Sequence, residues 1–182
     1  AVVEGALIPA RLTGALGSAG AYDFWWPAWV TLLTHAFLHI DFSHLLFNML
    51  ILFFCGRFVE LALGWKLMGL VYLTGAIAGG LAETAWSPGS LNPVLGASGA
   101  IAAIIAGYMV LFARNRPKPV GPLPAEIARG AQLLLLWIGL NLMVAFAFGG
   151  DGIQIAIAAH IAGFIVGLVL SRPLLILRYR KA

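Results

Sequence analysis

Charged side chains are scarce in this 182-residue sequence, at 10%, against 62% hydrophobic residues. Soluble domains carry about 25% charge. Too little polar surface is available to cover a water-facing globule, so lipid is the expected solvent. The mean hydropathy of +0.97 points the same way. There is one cysteine, Cys55, which excludes an intrachain disulfide. It sits in the apolar run Ile51 to Cys55 and reads as a packed side chain. The N-terminus lacks the basic start, apolar run and small-residue site of a cleavable signal. A net charge of +4 lies almost wholly in short inter-helix segments, which fits membrane orientation and not nucleic-acid binding. No linker or low-complexity tract marks a second domain, although the stretch from Pro117 to Pro124 is proline-rich and expected to be exposed.

Long uncharged runs are what the sequence does have. A spanning helix needs about 20 largely apolar residues. Five such helices are expected: one opening at His44 to Phe54 and reaching Arg57 and Glu60, then Leu67 to Ala82, Val94 to Ala113, Gly130 to Gly150 and Gly152 to Ser171. The connections alternate in charge. Arg57 and Lys66 flank the first turn, Glu83 to Pro93 has no Lys or Arg, and Arg114, Arg116, Lys118 and Arg129 follow. Only Asp151 marks the next turn, and Arg172, Arg178, Arg180 and Lys181 close the chain. Basic loops prefer the cytoplasm. Segments 57–66 and 114–129 and the tail 178–182 are therefore expected inside, and 83–93 and 149–152 outside, around a transmembrane core of 44–177.

Segment 1–43 then falls on the outer side. The chain begins at Ala1 and carries no signal, so a preceding transmembrane helix is expected, giving six in a complete protein. Trp25, Trp26 and Trp29 suit the bilayer interface. Two readings stand for 1–43: an outer loop with an aromatic anchor, or a partly embedded segment packed against the helices.

Polar groups at membrane depth are costly and often functional. Here they are His35, His39, His44, Asn48, Ser98, Asn141, Gln154 and His160. Ser98 lies in Gly96-Ala97-Ser98-Gly99 at an expected helix start, where an uncrowded hydroxyl sits among backbone N–H groups able to stabilise an anion. His160, in Ala159-His160-Ile-Ala-Gly163, can serve as general base and acid. Gly163 and Gly167 share its helix face, and Gly99, Ala103 and Gly107 form a matching stripe beside Ser98. Two small-residue stripes let helices approach closely. Ser98 lies 16 residues before Arg114 and His160 lies 12 before Arg172. That places them roughly 24 and 18 Å above the cytoplasmic charges. His44 and Asn48, four apart on one face, are side-chain donors for an oxyanion or interhelical hydrogen bonds. His35-Ala-Phe-Leu-His39 lacks the Glu of the zinc-protease motif, so no metal site is expected.

These pieces, in this order, resemble the rhomboid family of intramembrane serine proteases. The matching stretches are His35-Ala-Phe-Leu-His39, His44-Leu-Leu-Phe-Asn48, Gly96-Ala-Ser98-Gly99 and Ala159-His160-Ile-Ala-Gly163-x-x-x-Gly167, within about Trp29 to Leu170. The resemblance implies an all-α fold of six helices around a water-filled cavity, with the Ser98 helix short and central. Ser98 would be nucleophile and His160 general base, a dyad without an acid. The Ser98 N–H and the His44 and Asn48 side chains would hold the oxyanion. His35, His39, Gly96, Gly99, Gly163 and Gly167 would be structural. It implies no cofactor, single-span membrane-protein substrates cut in or near their helix at a small residue, and residence in a bacterial inner membrane with the site open to the extracytoplasmic side. Two departures stand out. Val30 follows Trp29 where many relatives have arginine, and Ala102 stands where a bacterial relative stacks a tyrosine under the histidine. The competing expectation is a catalytically inactive rhomboid-like protein that binds membrane clients. A channel or transporter would need charged groups along a pore, and helices three to five have none at depth.

Overall fold

The computed structural model describes residues 2–16, 25–112, 124–148 and 156–180. Five long helices carry it: α1 Phe42–Leu63, α2 Trp65–Trp86, α3 Ser98–Leu111, α4 Ala125–Phe148 and α5 Ile157–Tyr179. Among the described residues, α1, α2 and α5 are long and apolar enough to cross a membrane. Gln154, the loop charges Arg114, Arg116, Lys118 and Asp151, and the Asn141 side chain lie outside the described residues.

Local chemistry sets the helix ends. Asp41 caps α1 by accepting from the His44 N–H. One π-helical turn at Leu52–Gly56 interrupts α1, and Gly56 there is buried. Gly64, at φ 77°, turns the chain from α1 into α2, a conformation open to glycine. The Arg178 guanidinium donates to the Leu61 carbonyl at 3.1 Å, satisfying one of the last carbonyls of α1.

The expected third span, Val94 to Ala113, is corrected in the structure. The helix runs only Ser98–Leu111. Fourteen residues reach about 21 Å, short of a hydrocarbon core of about 30 Å. Val94 is extended instead, exchanging backbone hydrogen bonds with Leu7 at 3.0 and 2.7 Å. Gly96, at φ 125°, then turns the chain into α3. The short helix is the centre of the molecule: Gly99 to Ile104, Ala106 and Gly107 are all buried.

The α3–α5 seam is built from small residues. A Cβ on Gly163 would run into the Gly99 carbonyl, and one on Gly167 into the Ala103 carbonyl. Gly107 leaves room for Ser171. Residue numbers rise together along both helices, so α3 and α5 run parallel and begin at the same end of the molecule. Helix α2 closes the other side, with Gly75 against Ala100 and Ala103, and Gly79 against Ala159. Lipid offers no hydrophobic drive between helices, so such backbone approach supplies the packing.

The N-terminal segment is packed onto this core. Ala6, Leu7, Ile8 and Ala10 are buried, while Trp25, Trp26 and Trp29 are exposed. Short helical turns alternate with polar ties. Thr34 donates to the Gly5 carbonyl at 2.7 Å and Thr13 to the Pro88 carbonyl at 2.8 Å.

Candidate active site

Two helix starts define the site. Ser98 is the first residue of α3 and His160 the fourth of α5. Because the helices are parallel and in van der Waals contact, these first turns lie side by side. His160 Nε2 is 2.8 Å from Ser98 Oγ. Ser98, Gly99 and Ala100 open the helix with no side-chain cap, so their N–H groups have no acceptor within the helix. A helix start with these donors favours negative charge.

Gly96 supplies the floor. A Cβ there would lie 2.7 and 2.9 Å from His44 Cε1 and Nε2, and 3.7 Å from Ser98 Oγ. The His44 ring thus lies against the Gly96 backbone beside the Ser98 hydroxyl. Asn48 is buried one turn further along α1, and its amide donates to the His44 carbonyl at 2.8 Å. An amide carries two N–H donors, so this bond uses one of them.

His35 and His39 sit behind that floor. Gly96 N–H donates to the His35 carbonyl at 3.0 Å, tying the N-terminal segment to the turn before Ser98. Burial pushes the His35 imidazole down to about 4. The His39 ring meets the His44 ring edge-on at 5.1 Å. Burial, then the nearby charge of His44, lowers the His39 pKa. The Ser43 hydroxyl and the His44 N–H hold Asp41 below the usual carboxylate range. Among the described residues no three His, Cys, Asp or Glu side chains converge as metal ligands do.

Four residues of this neighbourhood escaped the sequence. Arg11 donates to the carbonyls of Glu4 and Trp26, tying the segment whose expected arginine is replaced by Val30. Glu83 of α2 accepts from the Ala159 N–H, beside His160. Helix α5 has Ala156 at its N-cap and no side-chain cap, so the acceptor comes from a neighbouring helix. The Trp137 indole N–H donates to the His160 carbonyl at 3.2 Å. Its ring stacks on Phe164 at 5.1 Å, and Phe164 packs with Ala102. The signals were faint: an acid at i+4 from Gly79, and an alanine at 102 whose missing volume had to be filled.

The Rhomboid domain family model matches residues 27–177. The chain is 34% identical over 138 residues to Rhomboid protease GlpG of Pectobacterium atrosepticum, covering 76% of this chain and 46% of that protein. It is 31% identical over 140 residues to the proteins of the same name in Yersinia pestis and Yersinia pseudotuberculosis, with the same coverage. The chain thus spans about half the length of the curated relatives it matches.

Proposed function

The chain belongs to the rhomboid family and is an integral membrane protein, and from that premise we propose that it is an intramembrane serine endopeptidase acting through Ser98 and His160. The observation that carries this reading is the 2.8 Å approach of His160 Nε2 to Ser98 Oγ across two parallel helix starts. With its ring proton on Nδ1, His160 accepts the Ser98 hydroxyl proton at Nε2 as Oγ attacks the substrate carbonyl carbon. The carbonyl π electrons move to oxygen, giving a tetrahedral oxyanion. The Ser98 N–H and the His44 and Asn48 side chains are its donors, each stronger in a dry site than in water. The imidazolium then protonates the leaving amine, the C–N bond breaks, and an acyl-Ser98 ester remains. Water attacks that ester with His160 again as base, releasing the acid and restoring the hydroxyl.

The family's substrates set the rest of the proposal. A single-span membrane protein, locally unwound at a small residue, offers a peptide bond to the site. The site opens to the extracytoplasmic side of a bacterial inner membrane, with the C-terminus cytoplasmic. Support for this orientation comes from the Lys and Arg distribution, which leaves 83–93 without a basic residue.

The test uses the full-length protein in liposomes with a single-span substrate. Wild type cleaves it, and Ser98→Ala and His160→Ala each lose on the order of 10⁴-fold or more in kcat. A fluorophosphonate labels wild type at Ser98 and leaves Ser98→Ala unlabelled. Cleavage surviving in Ser98→Ala sinks the mechanism. Substrate capture without cleavage by wild type turns the reading to a client-binding protein.

A further inference from the structure

We propose that Trp137 of α4 is a positioning residue for His160, an inference that rests on the Ser98–His160 reading above. The imidazole can reach Ser98 only if the first turn of α5 is held in register with α3. That turn has little of its own to hold it, since Ala156 gives no side-chain cap. On the α3 side the floor is bare as well: Ala102 and Ala106 are fully buried methyl groups.

Trp137 meets this turn in three ways. Its indole N–H donates to the His160 backbone carbonyl at 3.2 Å. That carbonyl's second lone pair is open to such a donor even while the first serves the helix ladder. Its ring lies 6.5 Å from the His160 ring at 56°, inside the range of a tilted aromatic pair. One turn on, the same indole stacks on Phe164 at 5.1 Å and 9°. Phe164 is fully buried and in turn packs on Ala102 and Ala106. A continuous wall of Trp137, Phe164 and the α3 alanines therefore backs the turn that carries His160. The ring limits how far the imidazole can swing from Ser98, and the N–H fixes the backbone from which it swings. Trp137 touches neither substrate nor reacting atoms; it acts through His160.

The experiment compares full-length wild type, Trp137→Phe, Trp137→Ala and, as control, Leu135→Ala, whose side chain is 68% exposed on the same helix. A fluorophosphonate gives two readouts at Ser98: the endpoint, which counts competent molecules, and the rate constant, which reports how well His160 activates the hydroxyl. Cleavage of a single-span substrate gives kcat and KM. Expected are wild-type endpoints throughout, with the labelling rate constant and kcat down about tenfold in Trp137→Phe and about a hundredfold in Trp137→Ala. KM stays within about twofold, and Leu135→Ala matches wild type. Rate constants equal to wild type in both Trp137 variants overturn the proposal. So does an activity loss matched wholly by a lower endpoint, which would make Trp137 a folding residue only. A wild type that neither labels nor cleaves overturns the protease reading itself, a failure distinct from the other two.

Discussion

The α3–α5 seam and the N-terminal segment are held together by opposite means. In the seam, backbone meets backbone: Gly99, Gly163 and Gly167 have no side chains, and a Cβ on Gly163 or Gly167 would strike a carbonyl of the facing helix. In the N-terminal segment, side chains reach to backbone: Thr13, Thr34 and Arg11 donate to carbonyls of distant residues, and the Tyr72 hydroxyl donates to Ala36 at 3.3 Å. Each solution follows from its surroundings. A helix satisfies its own backbone, so in lipid it needs only close dispersion contact. Irregular chain does not, and it persists near the membrane only where its polar groups find partners. The site lies where the two meet. Ser98 and His160 come from the seam, while Gly96 and the His44 ring belong to the junction with the polar-tied segment.

Breaking the seam should do the most harm. Gly163→Leu forces α3 and α5 apart at the level of the dyad. Overpacking of this kind costs about 3 kcal/mol or more. Thermal denaturation in detergent should show a large drop in the transition, with no labelling of Ser98. Ile165→Leu, on the exposed side of the same helix, should leave both near wild type. A stable Gly163→Leu variant would mean that the helices do not touch there.

At the junction the loss should be smaller in stability than in rate. Gly96→Ala places a methyl against the His44 ring and asks alanine to adopt φ 125°. The backbone term is about 1–2 kcal/mol. Shifting the ring beside Ser98 should lower kcat about a hundredfold. Purified variant with an intact fold and wild-type kcat would remove His44 from the proposed oxyanion donors.

Smaller still is the effect of the borrowed cap on α5. Glu83→Ala removes the acceptor for the Ala159 N–H, at about 1 kcal/mol for a lost helix cap. Glu83→Gln keeps an oxygen acceptor and should sit close to wild type. Equal losses in both variants would show that the charge, and not the hydrogen bond, matters.

Much of this was legible in the sequence because membrane helices announce themselves by apolar length, and glycines at every fourth position reveal a packing face. The start of α3 was not. Val94 to Ala97 is as apolar as the helix it precedes, and what keeps Val94 and Gly96 out of that helix is pairing with Leu7 and His35, far away in the chain. Of the two readings open for 1–43, the buried Ala6, Leu7 and Ile8 favour a segment packed against the helices. Arg11, Glu83 and Trp137 stayed hidden for a common reason: each acts on the backbone of another element, and a backbone acceptor leaves no mark in the sequence. Ala102 gave half of the Trp137 story. It showed that an aromatic support was missing, but not that Phe164 and Trp137 fill the space from α5 and α4.

The mildest way to separate the two regions is pH, since at neutrality it changes nothing. Both His35 and His39 belong to the polar-tied segment. Burial holds His35 at about 4, below the 6.5 of an exposed imidazole. The folded protein therefore keeps the ring neutral where the unfolded chain takes a proton. Stability from this group is complete above about 6.5 and is lost as pH falls through 4. His39, lowered by burial and by His44, adds in the same direction. The melting temperature should be flat above neutrality and decline across that window. His35→Gln, which cannot titrate, should flatten the decline whatever its absolute stability. A decline of unchanged slope in that variant would place the acid sensitivity elsewhere. Gly163→Ala should shift the whole curve down, because the added methyl strikes the Gly99 carbonyl while the substitution neither adds nor removes a titrating group.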